Sequence, residues 1–189
     1  GSINGINFKN NFDLSPSQLG CTLSHLKAIK HVYEANHDIC IIMEDDAMFE
    51  MLPYSNYTLD EIIKMAPSDW NIIQLYSTRK DYGYSSIKAF NIVDHHLSAL
   101  AYVINRKGMQ NILDTCYVKD TFILDKHNVV HSDGIADKLI YDYCGHAYAI
   151  TQPLFIMNNI LQPSQISQGL FVNIGDTVEI SIVLKNLGF

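Results

Sequence analysis

A short apolar run that ends in three successive acids limits what this chain can fold into more than any other feature. The run Ile39–Met43 reads Ile-Cys-Ile-Ile-Met, and Glu44, Asp45 and Asp46 follow it at once. An apolar segment too short for a helix and without polar positions is typical of a strand covered on both faces, as in parallel sheets. The pattern predicts a layered α/β sheet in which a buried strand delivers carboxylates to the sheet's edge.

Other segments predict an alternation of strands and helices around this run. Buried strands are predicted at residues 70–76 and 99–104, and a helix is predicted after the second of them, through about residue 113. A further helix is predicted to begin near Ser132-Asp133. Strands that alternate with helices favour one α/β domain with a mixed sheet flanked by helices.

The first helix is predicted to begin at Ser15-Pro16, because serine is a good N-cap and proline suits the first helical position. At about 100° per residue, Cys21, Ser24 and His25 fall opposite the main apolar stripe, and small apolar residues share their face. A helix that is apolar on two sides is usually sandwiched, so we expect small polar groups inside a packed contact. The stripe itself consists of Leu19, Leu23, Leu26, Ile29 and Tyr33.

The C-terminal part of the chain has a strand pattern of its own. Residues 177–184 alternate between apolar and polar, residues 170–174 have the same spacing, and Gly175-Asp176 between them suits a two-residue turn. We therefore predict an α/β domain over residues 1–168 and a β-hairpin extension over 169–189 that packs on an edge of the same domain. Because an edge hairpin can pair between chains, a homo-oligomer is an expected alternative.

Composition excludes several classes of protein. The 189 residues suffice for one core, and a net charge of −7 argues against nucleic-acid binding, which needs a basic patch. No apolar run approaches the length of a membrane span, so we expect a soluble protein. Gly1-Ser2 resembles an expression scar, which predicts that the natural N-terminus is absent. The four cysteines have no CxxC pair and are predicted to be buried thiols.

The acidic triplet needs compensation, because two like charges about 4 Å apart repel by about 1 kcal/mol even in water. Solvent is one remedy, and a hard divalent cation held by carboxylate oxygens is the other. In open α/β sheets ligands bind beyond the carboxyl ends of strands, where Glu44 and Asp46 fall. With a nucleotide sugar as ligand, such a cation would neutralise the diphosphate leaving group. Asp133 is then the candidate for deprotonating the acceptor or completing the metal shell, and helix capping is its alternative role.

Several segments together resemble glycosyltransferase family 25. Residues 19–28 contain Gly-Cys-x-x-Ser-His, and residues 41–47 form an apolar strand that ends in Glu-Asp-Asp and a small residue. Residues 69–75, 101–108 and 148–154 match the family's later segments in order, and Ser132-Asp133 stands where the family has a late aspartate. The resemblance spans about residues 14–160.

The resemblance implies a GT-A-type, Rossmann-like fold and a UDP-hexose donor, UDP-galactose or UDP-glucose, often with Mn²⁺. Glu44 and Asp46 would hold the metal, Asp45 would contact substrate, and Ser24 and His25 would line the donor or acceptor side of the cleft. The expected reaction is hexose transfer, with inversion, to a saccharide or hydroxylysine acceptor.

The chain departs from the family at its start, where members have a strand and an Asp-Arg segment well before the Gly-Cys-x-x-Ser-His helix. Residues 3–8 are no clear substitute, which leaves N-terminal truncation or a non-catalytic module without donor binding as alternatives. A glycan-binding or assembly module that uses Tyr82, Tyr84 and the hairpin is a third hypothesis. The spacing of His127 and His131 is compatible with zinc, although no glutamate follows His127.

Overall fold

The computed structural model describes residues 1–3, 5–76, 87–89, 98–129, 132–151, 154–157, 170–173 and 179–182. Its helices are α1 (Pro16–Glu34), α2 (Leu59–Met65), α3 (Arg106–Cys116) and α4 (Ala136–Cys144). Its strands are β1 (Ser2–Ile3), β2 (Ile6–Asn10), β3 (Ile39–Met43), β4 (Ala47–Met48), β5 (Ile72–Gln74), β6 (Ile87–Ala89), β7 (Ala101–Asn105), β8 (Tyr117–Val118), β9 (Thr121–Leu124), β10 (Ala147–Ile150), β11 (Ile156–Met157), β12 (Leu170–Asn173) and β13 (Glu179–Ile182). The predicted mixed α/β fold is confirmed.

A five-stranded sheet with the order β3-β7-β5-β10-β6 lies at the centre. β7 runs antiparallel to β3 and β5, and β5 runs parallel to β10. The carboxyl ends of β3, β5 and β10 therefore lie on the same side of the sheet, where the strands end, together with the start of β7. There the backbone N–H of Glu44 donates to the carbonyl of Leu100 at 2.8 Å, which extends the β3–β7 ladder by one residue beyond β3.

β3 is buried on both faces, as its uninterrupted apolar sequence predicts. Cys40 and Ile42 belong to the core formed with α1, α3 and α4. Ile41 and Met43 belong to a second core on the other face, which α2 closes with Ile62. Burying each large apolar side chain contributes about 1.5–3 kcal/mol, so the two cores hold β3, and the acids after it, firmly in place.

α1 begins and packs as the sequence predicts. Ser15 and Gln18 form a capping box, in which each side chain bonds the other residue's backbone N–H. The stripe residue Leu23 is fully buried, and on the opposite face Ser24 and His25 are only 7% and 5% exposed. The expected sandwich is confirmed, and it places polar side chains of α1 in the interior.

α4 begins at Ala136, three residues later than the helix start predicted beside Asp133. Gly134 has a φ of +93°, which is incompatible with a right-handed helix, and a Cβ there would lie 2.5 Å from the ring of Phe12. Ile135 is the extended N-cap residue and makes no side-chain capping bond. Asp133 therefore lies in the loop before α4 and does not cap the helix.

The N-terminal segment forms a strand, but in a different sheet. β2 lies in a four-stranded sheet of order β1-β2-β9-β8 and runs parallel to β9. Ile6 anchors it, because its buried side chain joins the same core as Phe122 and Leu124 of β9. The residues that precede α1 thus add no strand to the central sheet in the described part of the chain.

β12 and β13 pair antiparallel, and β13 lies close to β3, the edge strand of the central sheet. A two-residue turn at Gly175-Asp176 would place Asn173 opposite Val178, whereas the observed partner is Glu179. The observed register thus differs by one residue from the one expected, and the predicted turn itself lies outside the described residues. A shift by one residue exchanges the faces of a strand. The observed register aligns the apolar residues Val172 and Ile180.

None of the helices in the described part of the chain combines the length and the apolar character needed to cross a membrane.

Candidate functional site

Glu44 is the central residue of the candidate site. Its backbone is fixed by the bond to Leu100, and its side chain turns toward α1 rather than into solvent. One carboxylate oxygen, Oε1, lies 3.2 Å from Nε2 of His25 and 3.5 Å from Sγ of Cys21. The end of β3 and the buried face of α1 thus meet in one polar cluster.

Helical spacing places Cys21 and His25 side by side, because residues four apart lie on the same helix face. His25 is held from its other side by Tyr102 of β7, whose hydroxyl lies 3.0 Å from Nδ1. Tyr102 is fully buried, and burial raises its pKa well above the usual value, so it stays a neutral phenol. The imidazole is therefore fixed between a phenol and a carboxylate.

The partners of Glu44 decide its ionisation. Burial alone raises the pKa of this carboxyl, but the hydrogen bond and charge of His25, with the hydrogen bond from Cys21, outweigh burial and lower the pKa of Glu44 below its usual value. The pKa of the Cys21 thiol moves the other way, because burial and then the charge of Glu44 raise it strongly. Glu44 is ionised at neutral pH, and Cys21 is a protonated donor to it.

Asp46 is the second acid whose environment points to a cation. Its Oδ1 is buried, and no hydrogen-bond partner for this atom occurs among the described residues. Burial, followed by the charge of Glu44, raises the pKa of Asp46. A buried acceptor without a donor costs about 1–3 kcal/mol, and a cation at this position would remove that cost. Asp45, between the two acids, is half-buried.

Asp137 is a further carboxylate of this region that the sequence analysis missed. It lies in the first turn of α4, and its Oδ1 accepts the backbone N–H of Ala99 at 3.1 Å. Burial and then the charge of Glu44 raise its pKa, although the bond from Ala99 and the charge of His25 act in the opposite direction. The sequence signal that could have found Asp137 is an acid that stands between the apolar residues at the start of this helix.

Asp133, the predicted proton acceptor, has a different environment. Its side chain is 55% exposed, and its Oδ2 pairs with Nζ of Lys138 at 2.7 Å. Burial alone raises the pKa of Asp133, but the hydrogen bond and charge of Lys138, with backbone hydrogen bonds, together outweigh burial and lower it. The negative charge of Asp133 also contributes to the raised pKa of Asp137. The structure thus brings His25, Glu44 and Asp137 close enough for their charges to interact, and it pairs Asp133 with a lysine. Ser24 is buried next to His25 on α1.

Within the described part of the chain, the group that could hold a metal ion through three side chains is Cys21, His25 and Glu44. Their ligand atoms all lie within 4.8 Å of one another. The acidic triplet does not converge in this way, so a hard cation there would need further oxygen ligands from substrate or water. The oxygen donors of Glu44 and Asp46 fit such a cation in kind.

Of the other histidine and aromatic candidates, the structure describes His127. His127 lies in a 3-10 turn, Lys126–Asn128, while His131, Tyr82 and Tyr84 lie outside the described residues. The four cysteines are free thiols, of which Cys21 alone is partly exposed, so the expectation of unpaired cysteines is confirmed.

Comparisons with known proteins agree on one family. The model of glycosyltransferase family 25 (LPS biosynthesis protein) matches residues 4–127. Procollagen galactosyltransferase 1-B of Xenopus laevis is 26% identical over 107 residues, which cover 53% of this chain and 18% of that protein. Procollagen galactosyltransferase 1-A of the same organism matches to the same extent. The chain therefore spans less than a fifth of the length of these relatives. No solved structure gives a significant match.

Proposed function

Because the chain belongs to glycosyltransferase family 25, we propose that it transfers a hexose, galactose or glucose, from a UDP-sugar to an acceptor hydroxyl. The acceptor is a saccharide or a hydroxylysine side chain, and a divalent cation such as Mn²⁺ assists. The names of the two procollagen galactosyltransferases support galactose and a collagen-like acceptor. The family's description as an LPS biosynthesis protein supports the saccharide.

The observation that carries this proposal is the buried Oδ1 of Asp46, which has no hydrogen-bond partner among the described residues and lies near the ionised Glu44. Two neighbouring carboxylates just beyond the carboxyl end of β3 lie where open α/β sheets bind ligands, in keeping with a GT-A arrangement. Glu44 and Asp46 are the residues that would hold the cation. When bound, the cation supplies Lewis-acid neutralisation of the diphosphate leaving group.

Transfer with inversion also needs a group that accepts the proton of the attacking hydroxyl. Asp133 is the candidate from the sequence, but its pairing with Lys138 lowers its basicity. Asp137 has a raised pKa and a position fixed by the N–H of Ala99, which favours it as the proton acceptor. An Asp137→Asn variant that binds donor but does not transfer, beside an active Asp133→Asn variant, would assign the role to Asp137.

Ser24, His25 and Asp45 are proposed to contact donor or acceptor. Ser24 and His25 are buried on the face of α1 that meets Glu44, and Asp45 is half-buried between the two proposed metal ligands. In this arrangement His25 has a second task, because its hydrogen bond keeps Glu44 ionised and therefore able to bind a cation.

A second candidate function is a non-catalytic module that keeps the fold without binding donor and serves in glycan binding or assembly. One observation favours it, since β2 joins the sheet of β9 rather than the central sheet that carries Glu44. If the chain is such a module, we expect it to have no affinity for UDP with or without metal.

Calorimetric titration with UDP, with and without Mn²⁺, tests the proposal and separates the two candidates. We expect UDP to bind only with Mn²⁺, and Asp46→Asn to weaken that binding by about 10-fold or more, since even outer partners of a metal are worth about 10–100-fold. Asp114→Asn, a change of an exposed acid on α3, is the matched control. Metal-independent UDP binding, or Asp46→Asn binding like wild type, would refute the role of Asp46. No UDP binding under any condition would favour the non-catalytic module.

A further inference from the structure

The cluster of Cys21, His25 and Glu44 has a chemistry that a hard cation bound to phosphate does not use. Its three ligand atoms are a thiol sulfur, an imidazole nitrogen and a carboxylate oxygen, all within 4.8 Å of one another. Sulfur and nitrogen ligands favour zinc, whereas Mg²⁺, Ca²⁺ and Mn²⁺ prefer oxygen. We propose that Cys21, His25 and Glu44 form a binding site for Zn²⁺ with an open fourth position.

The two distances from Glu44 to the other members of the cluster match those of a tetrahedral zinc site. Zinc binds sulfur at about 2.3 Å and nitrogen or oxygen at about 2.0–2.2 Å, so tetrahedral geometry places sulfur about 3.5 Å and nitrogen about 3.3 Å from the oxygen. The observed separations are 3.5 Å from Cys21 Sγ to Glu44 Oε1 and 3.2 Å from His25 Nε2 to the same oxygen. Glu44 is therefore already placed relative to the sulfur and to the nitrogen as a shared zinc ion would require.

The surroundings of the cluster also suit a metal. A histidine that binds zinc usually gives its other ring nitrogen to a second partner, which orients the ring. Here that partner is the hydroxyl of Tyr102, 3.0 Å from Nδ1 of His25. Tyr102 is fully buried and packs edge-on against Tyr141, so the outer partner is itself fixed. The imidazole faces the cluster through Nε2 before any ion binds.

Charge and access are consistent with Zn²⁺ as well. A thiolate from Cys21 and the carboxylate of Glu44 together balance the two charges of the ion, so a nearly buried site carries no net charge. The proton that leaves the thiol passes to solvent when sulfur binds the ion. The side chain of Glu44 is 25% exposed, which leaves a route for water or ligand to the fourth position.

Zinc binding does not depend on the proposed function, but its expected effect on sugar transfer does. Glu44 is a ligand in both sites, so Zn²⁺ on Cys21 and His25 would withdraw it from the hard cation beside Asp46. We therefore expect Zn²⁺ to inhibit sugar transfer and excess Mn²⁺ to reduce that inhibition.

The proposal is tested on the reduced full chain without nucleotide, so its outcome is independent of transfer activity. Competition with a chromophoric chelator gives the Zn²⁺ affinity, and Co²⁺ as a spectroscopic probe shows a thiolate charge-transfer band if sulfur is a ligand. We expect one Zn²⁺ per chain and a thiolate band. We also expect a loss of affinity in Cys21→Ser larger than the roughly 10–100-fold that an outer partner is worth.

Two further variants control for other histidines. His31→Gln removes an exposed imidazole from the same helix, and His146→Gln removes the imidazole that lies 3.1 Å from Asp69 at the surface. Both should bind Zn²⁺ like wild type. Cys21→Ala repeats the test without adding a hydroxyl. The proposal is overturned if Co²⁺ gives no thiolate band, if Cys21→Ser and Cys21→Ala bind as tightly as wild type, or if His146→Gln abolishes binding.

Discussion

The carboxylates around the end of β3 differ in charge state because their partners differ. Glu44 has His25 beside it, and its pKa is lowered despite burial. Asp46 and Asp137 are half-buried, and partial burial followed by the charge of Glu44 raises the pKa of both. A positive charge near Asp46 and Asp137 would offset their repulsion from Glu44, which is in line with the proposed cation site.

Asp137 carries the first prediction, which concerns stability as a function of pH. Its raised folded-state pKa means that the folded chain binds this proton more tightly than the unfolded chain does. Its contribution is therefore fully present below the usual aspartate pKa of about 3.9 and is lost as the pH rises through the folded pKa. Asp137→Asn keeps an acceptor for the N–H of Ala99 but removes the charge. We expect it to be more stable than wild type at pH 7 and similar at pH 4, by urea unfolding followed by circular dichroism.

Asp114→Asn, on an exposed position of α3, serves as the control and should not change the pH profile. If Asp137→Asn is less stable than wild type at pH 7, the ionised carboxylate makes a favourable interaction, and its role as a poised proton acceptor loses support.

The sequence predicts some of these residues and misses others for a physical reason. Helical spacing places Ser24 and His25 on one face of α1, and the end of a buried strand places Glu44 at the sheet's edge. Both are local rules. The approach of Cys21 to Glu44 is a tertiary contact between residues 23 positions apart, so composition alone favours a core thiol. Asp137 is harder still, because its environment comes from Ala99 and from Glu44.

Among the elements, α3 shows how closely helices and strands approach each other in this fold. Gly108 lies in the first turn of α3, and a Cβ there would be 2.6 Å from the backbone carbonyl oxygen of Asn71. That oxygen also accepts the N–H of Asn105, and the side chain of Asn71 bonds the carbonyl of Cys144 at 2.9 Å. The backbone of Asn71 is therefore held from several sides and cannot move aside.

Gly108→Ala is the second prediction, and here two effects oppose each other. Alanine favours a helix by about 1 kcal/mol over glycine, whereas overpacking against a fixed backbone costs about 1–3 kcal/mol. Because the obstacle is backbone rather than a flexible side chain, we expect a net destabilisation of up to about 2 kcal/mol by urea unfolding. Gln110→Ala, exposed on the same helix, should change the stability by no more than about 0.5 kcal/mol. A Gly108→Ala protein more stable than wild type would contradict the tight contact.

Elements with a strong local pattern follow the sequence, and boundaries set by tertiary contacts do not. α1 begins at the predicted cap because Ser15 and Gln18 satisfy the first N–H groups by themselves. α4 begins later than predicted because Gly134 takes a positive φ where Phe12 packs against it. The pairing of β2 with β9 joins residues more than a hundred positions apart, which no local pattern indicates.

At the scale of the whole molecule, the edge of the central sheet formed by β3 matters for the site, because the segment that covers this edge also supports Glu44. β3 is the edge strand, and it leads directly into Glu44. An edge strand presents unpaired N–H and C=O groups, which proteins usually cover to prevent association. β13 lies close to β3, and we propose that residues 169–189 are an extension that packs on the same domain as residues 1–168.

Removal of residues 169–189 is the third prediction. Because the truncated chain keeps both cores, we expect it to fold, as judged by circular dichroism. It should self-associate in size-exclusion chromatography with light scattering, since the edge of β3 is then open. Hydrogen exchange should show faster loss of protection in β3 than in β7, whose neighbours on both sides remain.

Removal of residues 184–189, which retains both hairpin strands, is the control for this truncation. A truncated chain that stays monomeric and protects β3 as the full chain does would show that the hairpin does not cover this edge. Support of Glu44 would then come from α1 and β7 alone.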